Sequence, residues 1–165
     1  FFEMKTAVTT YTSQIDSFLY RFHSGEYQML NGNGTDFDLN KIINFENGIP
    51  GFEDLTKFIV VPLKEHPPFQ VFQSLEEPPI GMLVIPVEYF ESKQEIKIDG
   101  DNLNQINSEN QDNTDIFIII KMSKGKKQFT ANTKAPIVIN PNVLKGCQVI
   151  LENPNLQIEH PLDLA

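Results

Sequence analysis

Tryptophan is absent from these 165 residues, cysteine occurs once, and positive charge is scarce. No apolar run approaches the roughly 18 residues of a membrane span. The lone Cys147 excludes an internal disulfide and a cysteine-based metal site, and a reduced, cytosolic setting is the simplest inference. Cys147 adjoins an apolar run, Val149-Ile150-Leu151, so it reads as a small buried hydrophobe rather than a nucleophile. No basic-then-apolar leader is visible at the start, which again leads to an expectation of a cytoplasmic location. Lys and Arg number 13 against 22 Asp and Glu, a net charge of -9. The deficit is concentrated: residues 49–120 hold 4 basic and 13 acidic side chains, net -9, whereas residues 121–165 hold 6 and 3, net +3. An acidic middle argues against direct nucleic-acid binding, because phosphate contacts need Lys and Arg. It suits a basic protein partner, which such a face attracts over a Debye length.

Catalytic patterns are also missing. His23, His66 and His160 are far apart and lack metal-ligand spacing; His66 and His160 precede prolines and read as loop residues. Glu76 and Glu77 are neighbours, and neighbours on a strand face opposite sides, so they make a poor acid–base pair. No nucleophile elbow, phosphate loop or dinucleotide fingerprint occurs. The expectation is a protein with no catalytic residues, no metal and no cofactor. The basic stretch Lys121 to Lys127 reads as a solvated hairpin tip.

What the chain does have is phenylalanine, proline and short β-type segments. Thirteen Phe without a polar handle belong largely in a core, and eleven Pro favour turns and sheet edges over long helices. Strand candidates are Thr6–Tyr11, Phe18–Phe22, Lys41–Phe45, Phe58–Val61, Phe69–Gln73, Met82–Ile85, Ile116–Met122, Ile137–Ile139 and Gln148–Leu151. A short helix over Asp101–Ile106, capped by Asp99 or Asp101, and single turns at Val87–Phe90 and Gly51–Leu55 complete the reading. The later half of Asn102–Thr114 is expected to be exposed. The fold class is all-β: a small, barrel-like antiparallel fold with one or two short helices, spanning residues 1–165 as a single domain.

Two segments are more specific than the rest. In Gly48-Ile49-Pro50-Gly51-Phe52-Glu53, Pro50 sets one turn position and Gly51 supplies a conformation other residues avoid. Phe52 is then expected to fold back as an anchor while Glu53 and Asp54 stay wet. The second segment is Thr130-Ala131-Asn132-Thr133-Lys134-Ala135-Pro136-Ile137-Val138-Ile139-Asn140. The run Asn44-Phe45-x-x-Gly48-Ile49-Pro50-Gly51-Phe52-Glu53-Asp54-Leu55-x-x-Phe58 resembles the opening pattern of the flagellar assembly factor FliW family. Pro68-Phe69-x-x-Phe72-Gln73-Ser74, the segment containing Asn132, Lys134, Ala135, Pro136 and Asn140, Lys145-Gly146-x-Gln148-Val149-Ile150-Leu151, and Ile158-Glu159-His160-Pro161-Leu162 are similar to later parts of that family, in order. The resemblance covers roughly residues 41 to 162. The departure is an additional stretch around residues 17–34.

The resemblance implies a cytoplasmic binding protein rather than an enzyme. It implies two partners: CsrA, the RNA-binding repressor of flagellin mRNA translation, whose repression it relieves, and flagellin, which competes with CsrA for it. No direct nucleic-acid or membrane contact is implied. The motif residues Ile49, Pro50, Gly51, Phe52, Asn132, Lys134, Ala135, Pro136 and Asn140 read as structural. Glu53, Asp54, Glu76 and Glu77 are the candidates for a CsrA-facing acidic rim, and apolar groups near the Pro50–Phe52 corner are candidates for receiving flagellin. The alternative reading is a small-ligand or flavin-binding β-barrel.

Overall fold

The computed structural model describes residues 39–63, 66–76, 80–122 and 129–162. The candidate strands Thr6–Tyr11 and Phe18–Phe22, the stretch 17–34, Glu77 and residues 123–128 lie outside them. Among the described residues eight strands run in chain order: β1 Ile43–Asn44, β2 Lys57–Pro62, β3 Gln70–Ser74, β4 Gly81–Pro86, β5 Asp115–Met122, β6 Phe129–Asn140, β7 Lys145–Gln148 and β8 His160–Pro161. Their order in the sheet is β5-β4-β3-β2-β1-β7-β6-β8, and β5 also pairs with β6. Seven strands therefore close a barrel, with β8 added along β6. The pairings are antiparallel except one: β1 meets β7 in parallel, at Asn44 and Lys145.

Two apolar clusters explain why β5 reads as an unbroken hydrophobic run. Phe117 and Ile119 face the barrel interior with Phe45, Phe58, Phe72, Val84, Ile137 and Ile139. Ile116, Ile118 and Ile120 face the other way, against Phe90, Ile96, Ile98, Leu103 and Ile106. Successive side chains alternate between faces, so a strand covered on both sides must be apolar at every position. The outer cover comes from the connection between β4 and β5. It holds the helix α1, Gly100–Gln105, capped by Asp99, whose Oδ1 accepts the Asn102 N–H at 2.8 Å. Gln111 fastens this connection from within: its Oε1 accepts the Ile98 N–H at 2.8 Å and its Nε2 donates to the Ile96 carbonyl at 2.9 Å. Glu109, Asn110, Asp112 and Asn113 are exposed, as expected of that stretch.

Three rings pack together within the interior. Phe58 stacks on Phe72 at 4.4 Å between centroids, and Phe45 meets them tilted at 5.0 and 5.2 Å. Gly146 makes room for this, since a Cβ there would lie 2.6 Å from the Phe45 ring.

Strand boundaries differ from expectation in places with physical causes. The segment Ile137–Ile139 is the end of a twelve-residue strand. The Gln148–Leu151 strand lies earlier, at Lys145–Gln148. Val149 and Leu151 still donate to β6, at the Pro136 and Lys134 carbonyls, but where β6 is no longer regular. Lys41 closes a short 3-10 turn rather than opening a strand. His160 is in β8, paired with Ala131, not in a loop. Gly51–Leu55 is not helical, because Gly51 takes φ +89°.

Candidate partner surface

The front corner is a four-residue turn. The Phe52 N–H donates to the Ile49 carbonyl at 2.8 Å, with Pro50 and Gly51 at the central positions and Gly51 at positive φ, as a type II turn requires. The anchor is Ile49, buried in the interior cluster, and not Phe52, whose ring stays 37% exposed. The turn places the apolar residue before Pro50 inward and the one after Gly51 outward. Phe52 thus stays at the surface. Gly48, at φ +63°, lies under the turn: a Cβ there would sit 2.5–2.6 Å from the backbone of Phe52 and Glu53. The sequence alone assigns Gly48 no role; only the close approach of two backbone segments reveals one.

The back motif encodes a bulge. Phe117 pairs with Ile137 and Ile119 with Asn132, two steps on β5 against five on β6. Residues 133–136 therefore leave the ladder, where Pro136 needs no N–H partner from β5. The odd number of residues gained brings Ala131 and Val138 to the same outer cluster. The C-terminal segment satisfies the freed backbone. Thr133 N–H and the Gln157 carbonyl are 3.0 Å apart, the Thr133 hydroxyl accepts the Gln157 N–H at 3.0 Å, and the Lys134 carbonyl accepts the Leu151 N–H at 2.8 Å. The Ala135 carbonyl takes the Gln148 side chain at 3.1 Å, and Asn132 Oδ1 accepts the Lys134 N–H at 3.2 Å. Asn140 closes the strand: its Nδ2 donates to the Ile106 and Asn107 carbonyls at 3.0 and 3.1 Å, holding the end of α1 against β6. Each of these contacts lies within the fold.

The acidic candidates fall at one end of the barrel. Glu53 and Asp54 are exposed just before β2. Glu53 Oε1 accepts the Gly51 N–H at 3.1 Å, and backbone hydrogen bonds at Gly51 and Glu53 hold its carboxyl below the usual range. Glu76 follows β3 and reaches back to the same place. Its Oε1 accepts the Thr56 N–H at 2.7 Å, the Lys57 N–H at 3.0 Å and the Thr56 hydroxyl at 3.2 Å. Glu76 is therefore first a clasp between β2 and β3. The Thr56 N–H is the chief cause of its lowered pKa. A group with a depressed folded pKa contributes stability that is present above its ordinary value of 4.5 and lost as pH falls through the folded value. Glu76→Gln is expected to cost about 1 kcal/mol at pH 7, and the difference from the parent to shrink below pH 4.5; urea melts at pH 7 and pH 3.5 measure it. Equal differences at both pH values would remove the charged clasp.

Between the corner and β7 runs a groove of about 260 Å³, lined among others by Asn44, Glu46, Asn47, Glu53, Lys145 and Gln148. Cys147 lies along it but is a poor nucleophile: burial, with the charge of Asp99 adding to it, pushes its thiol up to about 11. Among the described residues, no three His, Cys, Asp or Glu converge as a metal site, and no helix is long and apolar enough to cross a membrane.

The motifs and the closed barrel coincide with a known family. The FliW protein family model matches residues 31–162. The chain belongs to the FliW family. It is 34% identical over 125 residues to a flagellar assembly factor FliW of Bacillus pumilus (strain SAFR-032), covering 76% of this chain and 87% of that protein. With the FliW of Geobacillus sp. (strain WCH70) it shares 38% identity over 128 residues, 77% of this chain and 88% of the other. A crystal structure of the flagellar assembly factor FliW superposes with a TM-score of 0.69 at 32% identity, over 78% of this chain and 89% of that one. This is a flagellar assembly factor family, and its barrel is the fold seen here.

Proposed function

We propose that this chain acts in the bacterial cytoplasm by binding CsrA, which relieves repression of flagellin mRNA, and by binding flagellin in competition with it. The observation that carries this reading is the family match across residues 31–162, with the barrel of a solved FliW reproduced. The surface chemistry supports it. An RNA-binding repressor must be basic to hold phosphate, and this chain carries -9 overall, with Glu53, Asp54 and Glu76 gathered at one barrel end. Glu53 and Asp54, both exposed, are the residues proposed to face CsrA; Glu77 belongs to the same proposed rim by sequence. Phe52, exposed at the turn, is proposed as an apolar contact for flagellin.

The alternative of a small-ligand or flavin barrel finds no support in an interior occupied by Phe45, Phe58 and Phe72. The test of the rim is Glu53→Lys with Asp54→Lys. CsrA affinity is expected to fall about tenfold and its salt dependence to flatten. Unchanged affinity and salt slope would remove these residues from the interface, and a parent chain that bound neither CsrA nor flagellin would overturn the function itself.

A further inference from the structure

We propose that the edge of β7 facing β1 is a docking slot for an extended peptide segment carrying a lysine or arginine, which adds beside β7 as a strand. The inference goes beyond the reading above and does not depend on which proteins the chain meets in flagellar assembly.

The slot arises where two strands part. β1 and β7 are paired at one position, Asn44 with Lys145. The Asn44 N–H donates to the Leu144 carbonyl at 2.8 Å, but the next N–H, of Phe45, has turned to the Thr56 carbonyl before β2 at 2.7 Å. The chain then leaves β7 through Glu46 and Asn47. The same parallel joint engages the Gly146 N–H, and beyond Gly146 β7 continues alone on that side among the described residues. Val149 and Leu151 donate to β6 at the Pro136 and Lys134 carbonyls. Backbone groups alternate in direction along a strand, so the N–H groups of Gln148 and Ile150 point away from β6, toward the groove side. The Gln148 side chain is turned back to the Ala135 carbonyl and does not cover this edge. Ile150 is 59% exposed. Folded proteins usually cover, twist or charge such an edge, because it templates strand addition.

The occupant's chemistry follows from the walls. The groove over this edge is bounded by Glu46 and Glu53, with Lys145 at the end where β1 and β7 are joined. Hydrogen bonding from the corner keeps the Glu53 carboxyl ionised. Two carboxylates against one ammonium favour a cationic side chain, placed toward Glu46 and Glu53 and away from Lys145. Backbone pairing with β7 supplies register, and the exposed Ile150 offers an apolar contact for an alternate residue.

The test uses the full chain, uniformly 15N-labelled, titrated with the amidated peptide Thr-Val-Lys-Val-Thr-Val. Binding is expected to shift the amide signals of Gly146, Gln148 and Ile150. Methylating the peptide nitrogens on alternate residues, which removes donors but little surface, is expected to weaken binding about tenfold on one of the two phases. Replacing its Lys by Glu, or using the Glu53→Lys protein, is expected to weaken it about fivefold or more. Gln148→Pro removes a β7 donor and should abolish binding; the Glu53→Lys surface variant keeps the proposal testable if Gln148→Pro does not fold. No shifts at millimolar peptide, shifts elsewhere, or indifference to both methylation phases would overturn the proposal. So would peptide-independent, concentration-dependent shifts at these amides, which would assign the edge to a second copy of the chain.

Discussion

Gly48→Ala is expected to destabilise the chain by about 2–5 kcal/mol, combining a left-handed backbone with an overpacked contact. Gly51→Ala, three residues further along the same corner, is expected to cost only about 1 kcal/mol. Both glycines have positive φ, +63° and +89°. The difference is space: a Cβ on Gly48 meets the Glu53 carbonyl at 2.5 Å, whereas nothing lies within 4 Å of one on Gly51. The obstruction is backbone, which cannot swing aside as a long side chain can. Relieving it means opening the turn that holds Ile49 in the interior. Urea melts of the two variants measure this directly. Equal effects would mean that conformation alone, and not the approach of residues 52–53 to Gly48, makes the corner glycine-dependent.

Phe72→Ala should cost about 3–5 kcal/mol, in the range of large-to-small changes at buried aromatic sites. Phe72 is 1% exposed, stacked 4.4 Å from Phe58 and tilted 5.2 Å from Phe45. Its strand lies between β2 and β4 in the closed ring, so neither neighbour can collapse into the space without disturbing a ladder. Phe72→Leu, which keeps most of the volume, should recover over half the loss. Thermal or urea unfolding of both variants checks the ordering. An Ala variant within 1 kcal/mol of the parent would show that the ring triad does not hold the barrel shut.

Much of this fold was legible because its strands bury alternating or continuous apolar sets. Met82–Ile85 and Ile116–Met122 stand out by β-branched content, and they are β4 and β5 within a residue or two. The Pro50-Gly51 turn was legible because few residues tolerate that geometry. β6 was read too short, since Thr130, Asn132 and Lys134 are polar and their strand character comes from pairing with β5 and with the C-terminal segment. β7 was misplaced because Val149 and Leu151 look more strand-like than Gly146 and Cys147, while the room Phe45 needs fixes Gly146 opposite its ring. The turn is expected to fold Phe52 back as an anchor, and its geometry sends Ile49 inside instead. Glu76 reads as rim in the sequence; its carboxylate also accepts from Thr56 and Lys57, twenty and nineteen residues away, a contact no local pattern announces. The parallel β1–β7 joint and the groove beside it depend on barrel closure, which sequence periodicity does not specify.

The most direct measurement is a competition titration by calorimetry: CsrA added to the chain alone, and to the chain already saturated with monomeric flagellin. CsrA is expected to bind the free chain, and flagellin to lower its apparent affinity at least about tenfold, with the loss growing as flagellin concentration rises. CsrA binding with the same affinity in both titrations, or no binding to the free chain, would contradict this expectation.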